Sequence, residues 1–322
     1  MRRALGLAAV VALFVGGCLG AQTASRAPLD PDAPGRWQSR ATMTWARQEI
    51  AVAALGGLVY VIGGFGATAE PVDTVEAYNP ATDQWQSVAP LPIAIHHAAA
   101  AVVDGRLFVV GGYTGGRFRR TTLGTVFEYE PAQNRWRGRA QLPTPRGALA
   151  VAAVGTRLYA VGGNAEKVTN AHEVYDVAAD RWSAANPMPT AREHLAAVGF
   201  EGRVWALAGR ESFLGTQYAN VEIYDPGTDS WRTSRSLPSA RGGLAATTVG
   251  DKIYVFGGET PFRIWNAVEM WDRGINVWVA KTPMPTARHG VGAAVVDGRI
   301  YVPGGGREPG FAATDVNEVF TP

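Results

Sequence analysis

One pattern recurs six times along these 322 residues, and a chain that repeats itself at this interval must stack copies of one small unit. Each copy reads Pro, two small or polar residues, Arg, an alternating apolar run, a second apolar run ending in a pair of small residues, then Glu-x-aromatic, then Trp. The small pairs are Gly63-Gly64, Gly111-Gly112, Gly162-Gly163, Ala208-Gly209, Gly257-Gly258 and Gly304-Gly305. They start 48, 51, 46, 49 and 47 residues apart.

The spacing inside each copy is tighter still. From the Arg position (Arg47, Ile95, Arg146, Arg192, Arg241, Arg288) to the first residue of the pair is 16 residues in every copy. From the aromatic (Tyr78, Tyr129, Tyr175, Tyr224, Trp271) to its Trp is always 7, and from each Trp to the next Arg position is always 10. Only the interval between the small pair and the aromatic varies, from 13 to 18. All length variation therefore sits in one connection per unit. Two apolar runs joined by Gly56-Gly57, Asp104-Gly105 or Asp297-Gly298 read as a tight hairpin, and the aromatic and Trp segments read as strands 3 and 4. The variable connection is then the loop between strands 2 and 3.

Four strands in about 48 residues is the content of one propeller blade, and the Gly-Gly, Glu-x-Tyr and Trp landmarks resemble the Kelch repeat over residues 36–322. The resemblance implies an all-β chain, a six-bladed Kelch-type β-propeller. Its last blade is closed by an N-terminal strand: the chain ends at Asn317–Pro322 without a Trp strand, and Arg36-Trp37-Gln38-Ser39 supplies one. Such closure leaves no free sheet edge.

Ahead of the repeats, Arg2 and Arg3 followed by the short apolar run Ala4 to Gly17 read as a leader, residues 1–17. Val15-Gly16-Gly17-Cys18 resembles a bacterial lipobox, with Cys18 as the lipidated residue and residues 18–35 as a flexible tether; cleavage near Leu19-Gly20-Ala21 is the alternative. The expectation is a bacterial exported protein, lipid-anchored in the cell envelope or periplasm, or else secreted. Cys18 is the sole cysteine, so neither a disulfide nor a cysteine-ligated metal site is available to the repeats. A net charge of +2 with both signs scattered argues against nucleic acid, and leaves the lipid anchor as the expected link to a membrane.

Each copy with the Arg also carries a Glu two residues before its aromatic: Arg47 with Glu76, Arg146 with Glu173, Arg192 with Glu222, Arg241 with Glu269, and Arg288 with Glu318. The second copy has Ile95 and Phe127 instead, so both members are apolar together. That covariation reads as a buried structural ion pair, not as a cationic ring for anions.

Function is expected on the face formed by the 2–3 loops and the 4–1 connections, where length varies. Tyr113, Arg117, Phe118, Arg119, Phe213, Phe262, Arg263 and Trp265 are the binding candidates, since aromatic and Arg side chains favour protein or sugar contacts. Two residues after the Arg position come Glu49, His97 and His194, which strand alternation would put on the Arg side, near the channel mouth. They are the acid–base candidates, with His96, Glu193 and His289 as neighbours; no metal and no cofactor is assigned.

The Kelch resemblance implies an interaction module for a protein or carbohydrate ligand. It also admits a sugar epimerase or mutarotase resembling N-acetylneuraminate epimerase. Copper chemistry of the galactose-oxidase type is disfavoured, because that site uses a Cys-crosslinked Tyr and no cysteine follows Cys18.

Overall fold

The computed structural model describes residues 34–116 and 119–322. The proposed leader, Cys18 and most of the tether lie outside the described residues, as do Arg117 and Phe118. Six four-stranded antiparallel sheets stand in a ring, each built in the order strand 1, 2, 3, 4. In the first blade these are Ala51–Leu55, Leu58–Ile62, Val75–Asn79 and Gln84–Val88. After its first residue, strand 2 is buried because neighbouring blades cover both its faces; Val59, Tyr60, Val61 and Ile62 are each at most 4% exposed. Strand 4 lies at the rim and alternates: Trp85 turns inward between the exposed Gln84 and Gln86.

The ring closes with the N-terminal strand. Arg36–Ser39 pairs antiparallel with Asn317–Thr321, with Trp37 opposite Phe320 and Gln38 opposite Val319. The Trp37 indole packs 5.1 Å from the Phe320 ring and donates to the Thr282 carbonyl of the fifth blade at 2.9 Å. The same bond recurs at every blade joint. Trp85, Trp136, Trp182, Trp231 and Trp278 donate to Ala41, Ala89, Ala140, Asn186 and Arg235. Each acceptor lies four residues past the preceding Trp, which is why the Trp-to-Arg spacing cannot vary.

The small pairs are close approaches between blades. Gly111 has φ +65, and a Cβ there would sit 2.5 Å from the Arg146 carbonyl oxygen of the next blade. The second residue of each pair donates its N–H to that same carbonyl position, as Gly112 does to Arg146 at 2.9 Å. The Arg side chains fill the space over these pairs and are fully buried. Arg47 lies 2.6 Å from Glu76, Arg192 2.5 Å from Glu222, Arg241 3.0 Å from Glu269 and Arg288 2.7 Å from Glu318; Arg146 contacts Glu173 in the same way.

The other carboxylate oxygen accepts from a hydroxyl two residues before the Arg in four blades: Thr144, Thr190, Ser239 and Thr286. Other guanidinium donors reach carbonyls, as Arg146 Nε does to Gly162 at 2.7 Å, while Arg47 Nε, Arg192 Nε and Arg241 Nη2 have no aligned partner. Each buried charge thus has its counter-charge in contact together with carbonyl acceptors, which lowers the cost of burial. In the second blade Ile95 and Phe127 share one apolar cluster.

Arg146→Ile alone strands the Glu173 carboxylate and should lower unfolding free energy by about 3–5 kcal/mol in urea titrations. The double variant Arg146→Ile with Glu173→Phe copies the second blade and should recover more than half of that loss. Equal losses in the single and double variants would show that the charge pair is not what the site requires.

His172 adds a pH dependence. It is buried between Tyr159, Tyr224 and Trp231, and burial lowers its pKa below the ordinary 6.5. The unfolded chain therefore takes up a proton near 6.5 while the native state does not, and stability falls as pH drops through that value. His172→Phe should show a shallower decline of melting temperature between pH 7 and 5 than the parent chain.

Candidate functional site

Each blade sends one residue to the axis through a left-handed turn just before strand 1. These are Glu49 (φ 53), His97 (φ 55), Ala148 (φ 52), His194 (φ 52), Gly243 (φ 67) and Gly290 (φ 56). Their backbones form a closed circle of six hydrogen bonds: His97 N–H to Glu49 O, Ala148 to His97, His194 to Ala148, Gly243 to His194, Gly290 to Gly243, and Glu49 to Gly290, all 2.8–3.0 Å. This corrects the expectation from strand alternation. The left-handed turn rotates these side chains away from the Arg layer, which stays sealed inside the blade, and aims them at the axis.

A second layer stands above the circle. The residue before each ring residue bridges to the residue after the small pair: Gln48 with Phe65, His96 with Tyr113, Gly147 with Asn164, Glu193 with Arg210, Gly242 with Glu259, and His289 with Gly306. Together with the 2–3 loops, this layer walls a cavity of about 290 Å³ on the loop face. Glu49, His97 and His194 form its floor, while Phe65, Phe213 and Phe311 supply aromatic wall. Beneath the floor a smaller space of about 80 Å³ is lined by Ile50, Leu149, Leu195, Leu244 and Val291. The three titratable side chains therefore stand between the two spaces and line both.

The floor groups converge across the ring. Glu49 Oε2 lies 3.3 Å from His97 Nε2 and 3.9 Å from His194 Nε2, although Glu49 and His194 come from opposite blades. His289 Nδ1 sits 3.4 Å from both Glu49 Oε1 and Glu259 Oε1. Arg210 bridges Glu259 at 2.8 Å and Glu193 at 3.4 Å. His96 Nε2 faces the Gly115 carbonyl at 3.1 Å, and its Nδ1 contacts His97 Nδ1.

Burial brings the His96 pKa down to about 4 and takes His97 well below its ordinary value, outweighing the attraction of Glu49. Burial would raise Glu49, but the surrounding His97, His289 and His194 imidazoles overcome it and hold the carboxyl well below the usual range. His289 moves the other way. Burial opposes its charge, yet the close Glu49 carboxylate and the charge of Glu259 raise its pKa. A neutral His97 and a cationic His289 thus flank one carboxylate.

The binding candidates divide. Phe213 lines the cavity under Arg210, whose guanidinium lies 5.2 Å above the ring. Tyr113 is a correction: it is fully buried behind the wall, with its hydroxyl donating to the Asn164 carbonyl, so it backs His96 and His97 and presents nothing to a ligand. Phe262 and Arg263 are exposed on an outer hairpin, with Arg263 stacked 3.8 Å over the half-buried Trp265, away from the cavity. Arg119 is exposed and outside it as well. Arg210, Glu259, Gln48 and Asn164 were missed. A signal existed, since all four occupy the repeat positions directly after a landmark Arg or small pair.

Comparison with known proteins agrees with this architecture. A family model described as the KLHDC2/KLHL20/DRC7 Kelch-repeats domain matches residues 35–209, and the Kelch motif matches residues 191–238 and 240–285. No curated protein matches the sequence. The solved structure titled "Structure of YjhT" superposes with a TM-score of 0.73 at 17% identity, covering 85% of this chain and 95% of that one. An identity that low speaks for the fold alone. The chain belongs to the Kelch-repeat family, as a six-bladed β-propeller.

Gly290 tests the floor. A Cβ there would meet Glu49 Oε1 at 2.6 Å in a left-handed backbone. Gly290→Ala should cost about 1–2 kcal/mol of stability through backbone strain and displace the carboxylate. The expected signature in NMR spectra is a shift of the His97 and His289 ring resonances with the blades otherwise unchanged.

Proposed function

We propose that this Kelch propeller binds a small polyhydroxylated molecule of monosaccharide size in the loop-face cavity. The observation that carries the reading is convergence. Acid, imidazole and guanidinium groups from four blades meet at the base of one 290 Å³ cavity whose wall includes Phe65, Phe213 and Phe311. Aromatic rings take the C–H faces of a sugar, and the charged groups take its hydroxyls. A module built to hold a folded protein would instead place its aromatics on a broad outer surface, where here Phe262 stands largely alone.

A second reading follows from the pair at the floor. A carboxylate and an imidazole 3.3 Å apart, with pKa values held low, suit proton transfer to and from a bound sugar, the chemistry of an epimerase or mutarotase. The leader and Cys18 remain the proposed route of export and lipid anchoring.

Calorimetric titration with sialic acid and common aldoses tests the main reading. Binding is expected, with Arg210→Gln and Phe213→Ala weakening it about 10-fold or more and Phe262→Ala leaving it unchanged. No sugar binding, together with a protein partner lost on Phe262→Ala, would move the function to the outer surface. Faster exchange at the anomeric carbon in the presence of the protein would establish the catalytic reading.

A further inference from the structure

We infer that Glu49 Oε2, His97 Nε2 and His194 Nε2 form a site for one divalent first-row transition ion, of which Zn²⁺ is the type, at the base of the loop-face cavity. The three atoms lie within 4.8 Å of one another. Ligands at the tetrahedral angle around such an ion stand about 3.3 Å apart, given bonds of about 2.0–2.1 Å. The Glu49–His97 separation of 3.3 Å matches that figure, and the Glu49–His194 separation of 3.9 Å needs a shift of about half an ångström.

Proton placement points the same way. The Gly115 carbonyl can only accept, so His96 carries its hydrogen on Nε2, and a neutral His96 then offers its Nδ1 lone pair to His97. His97 must donate from Nδ1 to occupy that contact, which leaves a lone pair on Nε2 aimed at the Glu49 carboxylate. His194 has Nδ1 3.2 Å from Glu193 Oε1, angled off the line of a hydrogen bond, and turns Nε2 toward the same oxygen of Glu49. Two imidazole lone pairs and a carboxylate thus face a common point from three blades; Glu49 and His194 are more than nine-tenths buried, and the His97 side chain is 10% exposed.

Each candidate ligand also has its own orienting partner. His97 has the hydrogen bond with His96, while His194 and Glu49 have ionic neighbours, Glu193 at 3.2 Å and His289 at 3.4 Å, and the His289 Nε2 is fixed on the Glu308 carbonyl at 3.0 Å. Glu193 is itself held by Asn164 at 2.7 Å and Arg210 at 3.4 Å. Oriented imidazoles and a hydrogen-bonded carboxylate are how metal sites fix ligand geometry and tautomer. The neighbouring cations do not oppose the ion openly, because Arg210 is neutralised by Glu193 and Glu259, and His289 lies between Glu49 and Glu259. Two imidazoles with one carboxylate suit zinc or iron(II) better than calcium or magnesium. The fourth position opens into the cavity, where a hydroxyl or carboxylate of a ligand could bind the ion; that part rests on the ligand-binding reading above.

The competing occupant of the same point is a proton on His97 Nε2. Untagged protein dialysed against Zn²⁺ and Co²⁺ separates the two. Uptake of one ion per chain is expected, with d–d absorption for Co²⁺ and two imidazole shells in X-ray absorption at the metal edge. Uptake should vanish in Glu49→Gln and in His97→Gln with His194→Gln, and Glu193→Gln should weaken it about 10–100-fold. No uptake, uptake unchanged in these variants, or an edge spectrum without imidazole would overturn the site, and the edge spectrum needs no variant to fold. Sugar titration in chelator keeps the readings apart. Sugar binding without metal uptake leaves the cavity and removes the ion, and metal uptake without sugar binding does the reverse.

Discussion

Six backbone hydrogen bonds at the axis hold the rest of the molecule in place. Each joins equivalent residues of adjacent blades, and the last, from Glu49 to Gly290, returns the circle to its start. A closed circle constrains more than its six bonds sum to, because no blade can tilt or slide without breaking a bond on each side. Two further circles repeat the logic at larger radius. The second residue of each small pair donates to the next blade's Arg-position carbonyl, and each Trp indole donates to the blade before it. Fixed spacing in the sequence is the trace of these three circles, because each bond sets the chain length between its ends.

The inner circle has a conformational cost that the sequence distributes unevenly. A left-handed residue is free for glycine and unfavourable for others, by about 1–2 kcal/mol. Blades five and six accept the saving with Gly243 and Gly290, yet Glu49, His97 and His194 occupy the same conformation. The strain is kept at four of the six ring positions, Ala148 among them, and at three of these the side chains meet at one point, which is where a site would form. At Gly290 a side chain would obstruct them, since its missing Cβ leaves the space that Glu49 Oε1 enters.

Blade number, hairpins, the closing strand and the Arg–Glu partners were legible because each is written several times in correlated positions. A single Arg or Gly pair would have meant little; the joint change to Ile95 and Phe127 identified a partner across 32 residues. The candidate site was less legible because it is written once. Period-two alternation holds inside a strand but fails across the left-handed turns at Glu49 and after Gly112. Hence Tyr113, counted as a loop aromatic, turns inward, and Arg210 and Glu259, which directly follow the small pairs, reach the cavity. Side-chain direction at such turns depends on φ, which no local pattern reports.

The buried charges show where chemistry was left open. Each Arg–Glu pair within the blades contributes to packing and has further donors and acceptors around it, as with Thr144, Gly162 and Ala160 around Arg146 and Glu173, although Arg47 Nε, Arg192 Nε and Arg241 Nη2 stay unmatched. At the axis the accounts do not close: His194 Nδ1 and His289 Nδ1 have ionic neighbours but no well-aligned hydrogen bond. Leaving a buried polar atom unmatched is unfavourable by about 1–3 kcal/mol. The unmatched groups border the one cavity among the described residues where acid, imidazole and guanidinium side chains share a floor and wall. What distinguishes the axis from the blades is therefore neither charge nor an unmatched atom but the cavity beside them, and unused bonding capacity facing a cavity is what a ligand binds.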